Sequence, residues 1–96
     1  MRAIVAAALG LASIAAALPA LAEPPAGAVS CSGCHPASVR VTSPVPRLAG
    51  YDRAAMIKAL SDFRSGARPG TVMDRIAKGF TDAEIQAIAA WYAAQK

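Results

Sequence analysis

Histidine and cysteine are scarce in this 96-residue chain, which has one His and two Cys. So few ligands cannot build a four-ligand zinc cage, for which a second Cys or His cluster is missing. No Gly-rich phosphate loop occurs, and no nucleophile is paired with a base, so hydrolase and transferase chemistry have no place to stand. Aromatics are only 5% of residues and charged types 17%, against 55% apolar, a balance too apolar for a disordered tail. Internal repeats, low-complexity tracts and alternating strand patterns are also missing, which leaves one helical domain.

The one long apolar run is Ala3 to Leu18, broken by Gly10 and Ser13. Arg2 precedes it, and Pro19 and Ala20-Leu21-Ala22 follow, giving the basic, apolar and small-x-small segments of a secretory signal. Cleavage is expected after Ala22, so residues 1–22 are read as signal peptide and residues 23–96 as the exported domain. The run falls short of the roughly 20 apolar residues that cross a bilayer, so no membrane insertion of the mature chain is expected. A periplasmic location follows. Without Arg2 the domain keeps a mild excess of Lys and Arg over its six Asp and Glu, too small to imply a nucleic-acid partner. A domain below about 70 to 80 residues generally needs a disulfide, a metal or a large cofactor to hold it together.

Both cysteines and the histidine fall within five residues, Cys31-Ser32-Gly33-Cys34-His35. In C-x-x-C-H the two thiols reach the vinyl groups of a haem as thioethers, and the adjacent His offers a ring nitrogen to the iron. One helical turn suffices, because i and i+3 share a face. Three other readings compete. A Cys31–Cys34 disulfide would close a very small loop and brace almost nothing. A redox dithiol would want a βαβ context, and zinc lacks its other ligands. One covalent haem c is therefore the favoured cofactor.

A low-spin electron carrier needs a second axial ligand, and with no other His the thioether of Met is the natural candidate. Met56 lies on the stripe Met56, Leu60, Phe63, whose i, i+4, i+7 spacing marks the core face of a helix. Met73 follows Arg68-Pro69-Gly70-Thr71-Val72, where Pro and Gly free the backbone to present a side chain. Met73 is preferred over Met56. The helix pattern has four parts: a short weak helix opened by Pro24-Pro25 and running into the haem motif; a second from an Asp52 N-cap to a Gly66 stop; a third over about Met73 to Lys78; and a last one opened by Thr81-Asp82-Ala83-Glu84, a capping box, with Ile85, Ile88, Ala89 and Tyr92 on its inner stripe. Residues 36–50, carrying Pro36, Pro44 and Pro46, read as an extended loop.

Cys31-Ser32-Gly33-Cys34-His35, then Pro46-Arg47-Leu48-Ala49-Gly50, then Met73 ahead of a closing amphipathic helix, resembles the class I c-type cytochromes over essentially all of residues 23–96. Phe63 to Pro69 with Thr71 to Ile85 is similar, more narrowly, to the cytochrome subunit of flavocytochrome c sulfide dehydrogenase and to the cytochrome c4 type. The resemblance implies an all-α fold of three to four short helices around one covalent haem. It also implies Cys31 and Cys34 as thioether attachment points, and His35 and Met73 as axial ligands. A proline carbonyl should accept from the His35 ring N–H, with Pro44 the better positional match and Pro46 the second choice. The implied role is electron transfer, not catalysis by this chain. Its partner would be a flavoprotein such as a sulfide dehydrogenase; the other reading is a free diffusible carrier exchanging electrons with other redox proteins. A haem sensor with an open distal site and a thiol-redox module are further readings.

The expected exported product begins at Glu23. N-terminal sequencing of protein recovered from outside the cytoplasm checks this, and a start at Met1 would overturn the assigned cleavage.

Overall fold

The computed structural model describes Gly10 and residues 23–96. The signal segment expected over residues 1–22 otherwise lies outside the described residues. Among those described there are four helices and no strand: α1 Ala28–Cys31, α2 Arg53–Ser65, α3 Met73–Ala77 and α4 Asp82–Ala93. None is long and apolar enough to cross a membrane.

Local chemistry explains where each helix begins and ends. The Asp52 side chain accepts from Ala55 N–H at 2.9 Å, and Gly66 stops α2 in the left-handed conformation at φ 83°, where glycine is tolerated without a Cβ clash. Thr81 and Glu84 form the full capping box of α4. Its two bonds are Glu84 N–H to Thr81 Oγ1 at 3.2 Å and Thr81 N–H to Glu84 Oε1 at 3.0 Å. The Thr81 N–H holds the Glu84 carboxyl below its ordinary range. This contribution is complete at neutral pH and fades as pH falls through that lowered value.

The start of α1 corrects the sequence reading. Helix was expected from Pro24-Pro25, but Gly27 adopts φ 86° and α1 opens only at Ala28. Pro25 instead opens a turn through Ala26 and Gly27, with Ala28 N–H donating to Pro25 O at 3.0 Å. Phe80 supplies the reason. A Cβ on Gly27 would stand 2.4 Å from its ring, so the backbone turns tightly beneath the aromatic face.

The α2 helix packs on both α3 and α4, and α1 packs on α4. Ala28, Met56, Ile88, Ala89 and Tyr92 make one buried cluster, flanked by half-buried Cys31, Leu48, Tyr51, Leu60, Phe80 and Trp91. Burial here is modest in area, because two of the five are alanines. Position is fixed by polar ties instead. The Tyr92 hydroxyl, whose pKa burial pushes up, donates to Ala28 O at 2.5 Å. Gly50 N–H donates to Tyr92 O at 2.9 Å, anchoring the long loop to α4. Arg64 reaches from α2 to Phe80 O at 3.2 Å and to the Asp82 carboxylate.

Replacing Tyr92 by Phe strands the carbonyl of a fully buried Ala28. A loss of about 1–3 kcal/mol is expected, read in urea as a lower midpoint at unchanged slope.

Candidate functional site

Cys31 is the last residue of α1, and the turn continues past it. Gly33 N–H donates to Ser30 O, Cys34 N–H to Cys31 O at 3.3 Å and His35 N–H to Cys31 O at 3.0 Å. Cys31, Cys34 and His35 therefore lie on one helical turn, as the spacing predicts. Both cysteines are free in this structure, with no disulfide joining them. The two differ in surroundings. Cys31 is half-buried against the core, its thiol 3.6 Å from Gly27 O and its pKa raised by burial. Cys34 is exposed.

The decisive contact involves the histidine ring. His35 Nδ1 lies 2.5 Å from the carbonyl oxygen of Pro46. A carbonyl only accepts, so Nδ1 carries the hydrogen and Nε2 keeps its lone pair for a metal. Here the structure corrects the sequence reading, which put Pro44 first and Pro46 second. The backbone bends at Pro44 and Val45, and it is the carbonyl beyond the bend that reaches the ring. Arg47 holds the same stretch, its Nε donating to Ala37 O at 2.9 Å. From the sequence Tyr92 is read as part of the inner stripe of α4, and Arg47 as part of the Pro46-Arg47-Leu48-Ala49-Gly50 segment, with neither tied to the position of His35. Only their contacts across the fold reveal that tie.

The two methionines stand in different surroundings. Met56 is 4% exposed and belongs to the core, whereas Met73 opens α3 and is half-buried. The segment before it lies against α2: Arg68 N–H donates to Asp62 O at 3.1 Å, the Arg68 guanidinium lies 4.8 Å over the Phe63 ring, and Gly70 packs beneath that ring. An apolar cavity of about 380 Å³ opens beside the Cys–His turn, lined by Ser32, Pro36, Leu48, Trp91 and Tyr92 among others. Cys31, Cys34, His35 and Met73 do not line it. Among the described residues no three His, Cys, Asp or Glu side chains converge as a metal cage, unlike a structural zinc site.

This donor set fits a haem. Two unpaired thiols bracket one turn, and an imidazole with a fixed tautomer stands next to them. No family profile matches the chain. It is 41% identical over 64 residues to the cytochrome subunit of sulfide dehydrogenase of Chlorobaculum tepidum, which covers 67% of this chain and 58% of the relative. The thiosulfate dehydrogenase electron acceptor of Stutzerimonas stutzeri is 43% identical over 65 residues, covering 66% and 30%. Cytochrome c4 of Pseudomonas aeruginosa is 33% identical over 89 residues, covering 92% of this chain and 44% of its own length.

The chain belongs to the class I c-type cytochromes. Such cytochromes carry haem c covalently, and the helical fold of this cytochrome agrees. It spans only 27% to 58% of the length of three curated relatives that it matches.

In the diamagnetic reduced cytochrome, the His35 Nδ1 proton should exchange slowly and show nuclear Overhauser contacts to Pro46 and Arg47. Contacts to Pro44 in their place would overturn the Pro46 assignment.

Proposed function

We propose that residues 23–96 are a monohaem electron-transfer domain, exported to the periplasm, in which Cys31 and Cys34 hold haem c and His35 and Met73 ligate its iron. The observation that carries this reading is the His35–Pro46 hydrogen bond, which leaves Nε2 available beside two free thiols. When bound, haem c takes up and returns one electron at its iron.

The chain's own residues tune that chemistry. Pro46 O keeps the imidazole in one tautomer and orientation and raises its basicity as a ligand. Met73 would offer a soft thioether, which favours the reduced state and raises the potential. Apolar surroundings of the iron would also favour the less charged state. No side chain here acts as acid, base or nucleophile toward a substrate. Catalysis would belong to the protein that delivers the electron.

That donor, we infer, is a dehydrogenase oxidising an inorganic sulfur compound. One relative is named as the cytochrome subunit of sulfide dehydrogenase, which supports a flavoprotein donor. A second reading, a diffusible carrier with no dedicated flavoprotein, is favoured by relatives named as thiosulfate dehydrogenase electron acceptors. Co-purification with a flavin-containing chain distinguishes the first from the second.

Substitution of each methionine tests the axial assignment. Met73→Ala should keep the mass of a covalently attached haem yet bind carbon monoxide in the reduced state at neutral pH. Met56→Ala should leave carbon monoxide excluded and cost about 2–5 kcal/mol of stability, as other buried Met truncations do. The reverse pattern would move the ligand to Met56.

A further inference from the structure

We propose that the outer face of α3, centred on Val72 and Ile76 and flanked by Arg75 and Lys78, is the docking surface for an acidic redox protein. This rests on the electron-transfer reading above and adds to it the chemistry of the partner.

The charge distribution points there. Most basic side chains are engaged within the chain: Arg47 with Ala37 O, Arg53 with Gln86, Lys58 with Asp62 at 2.5 Å, Arg64 with Asp82, and Arg68 over Phe63. The acids are engaged as well. Asp52 caps α2, Asp74 accepts from Arg75 N–H at 2.9 Å, Glu84 completes the capping box, and Asp62 and Asp82 hold the two ion pairs. Among the described residues this leaves the side chains of Arg40, Arg75, Lys78 and Lys96 as the cations with neither an ion pair nor a hydrogen bond or ring contact inside the chain, all exposed. Two of these four stand on α3 and its cap. On this element Arg75 and Lys78 outnumber the single carboxylate of Asp74, which is bonded to the Arg75 N–H, and the net positive charge selects an acidic face by complementarity.

Apolar exposure marks the same face. Val72 is 55% exposed and Ile76 40%. Ile76 N–H donates to Val72 O at 3.1 Å, so the two side chains stand one turn apart on one side of the helix. A pair of aliphatic side chains beside two unpaired cations provides a small contact that excludes water within a charged rim. An area this small suits a brief encounter, as transient redox complexes require. The strip also flanks Met73, the proposed axial ligand, so a partner seated there is near the iron. The step served is the passage of one electron between partner and cytochrome, with no bond made or broken.

The test uses the haem-loaded protein and fully reduced flavodoxin, an acidic flavin protein that loses one electron as the cytochrome gains it, followed by stopped flow. Arg75→Glu with Lys78→Glu should slow the second-order rate about tenfold at low ionic strength, and the difference should vanish in high salt. Val72→Ser with Ile76→Ser should slow it at every salt concentration. The same charge change made elsewhere, Arg40→Glu with Lys96→Glu, should have much the smaller effect. Equal slowing by the two charge-reversed pairs would overturn the proposal in favour of net charge alone. So would a wild-type rate indifferent to salt. Self-association that disappears in the serine variant would also overturn it, assigning the strip to a second copy. Haem absorption and full reduction by dithionite in every variant keep the electron-transfer reading standing whatever the docking result. A wild-type product without attached haem would sink that reading instead.

Discussion

The bond from the Tyr92 hydroxyl to Ala28 O is the constraint on which the rest of this cytochrome depends. The α1 helix is a single turn of four residues, far too short to hold its shape in water unaided. Docking on α4 is what makes it a helix. Cys31 ends that turn, and Cys34 and His35 follow in its continuation, so the placement of these three residues is inherited from a contact made by α4. The second tie, Gly50 N–H to Tyr92 O, brings in the long loop that bears Pro46. One residue of the last helix thus governs both the thiol side and the carbonyl side of the histidine.

A division of labour follows. The α1–α4 seam and the loop set the Cys–His turn, while α2 carries the Met73 segment through Phe63 and Asp62. Packing between α2 and α4, with Met56 among Ile88 and Ala89, keeps the two halves in register. Arg64 reinforces this where burial is thin, spanning from α2 to the Phe80 carbonyl and Asp82. Its side chain is partly exposed, so the ion pair adds little energy. The bond to a main-chain oxygen at the head of α4 matters more for geometry.

What could be read in the amino-acid order was local. The Asp52 cap, the Gly66 stop, the Thr81–Glu84 box and the i, i+3, i+4 stripe of α4 each need only neighbours within a turn, and each is present. The Cys–x–x–Cys–His spacing is local too, so the clustering of its three side chains was legible without a fold. Pro44 and Pro46 were not separable in this way. Both are prolines in one loop, with identical carbonyl chemistry, and only the bend of that loop past His35 distinguishes them. Tyr92 and Ala28 lie 64 positions apart, and no periodicity links them. The late start of α1 had the same origin, because the reason for Gly27 to turn is an aromatic ring far along the chain.

That ring has a consequence for how this chain can change. Gly27 and Phe80 occupy nearly the same space, with less room between backbone and ring than one methyl group requires. The stretch joining α3 to α4 therefore acts as a template for the bend that precedes the cysteines. Inserting or deleting a residue around positions 79–81 would displace the aromatic side chain and be felt at the thiols, about fifty positions upstream. Length variation should be far easier to accommodate in the Pro-rich loop, at the stretch between Ser38 and Ser43, where no tertiary contact of this kind exists among the described hydrogen bonds.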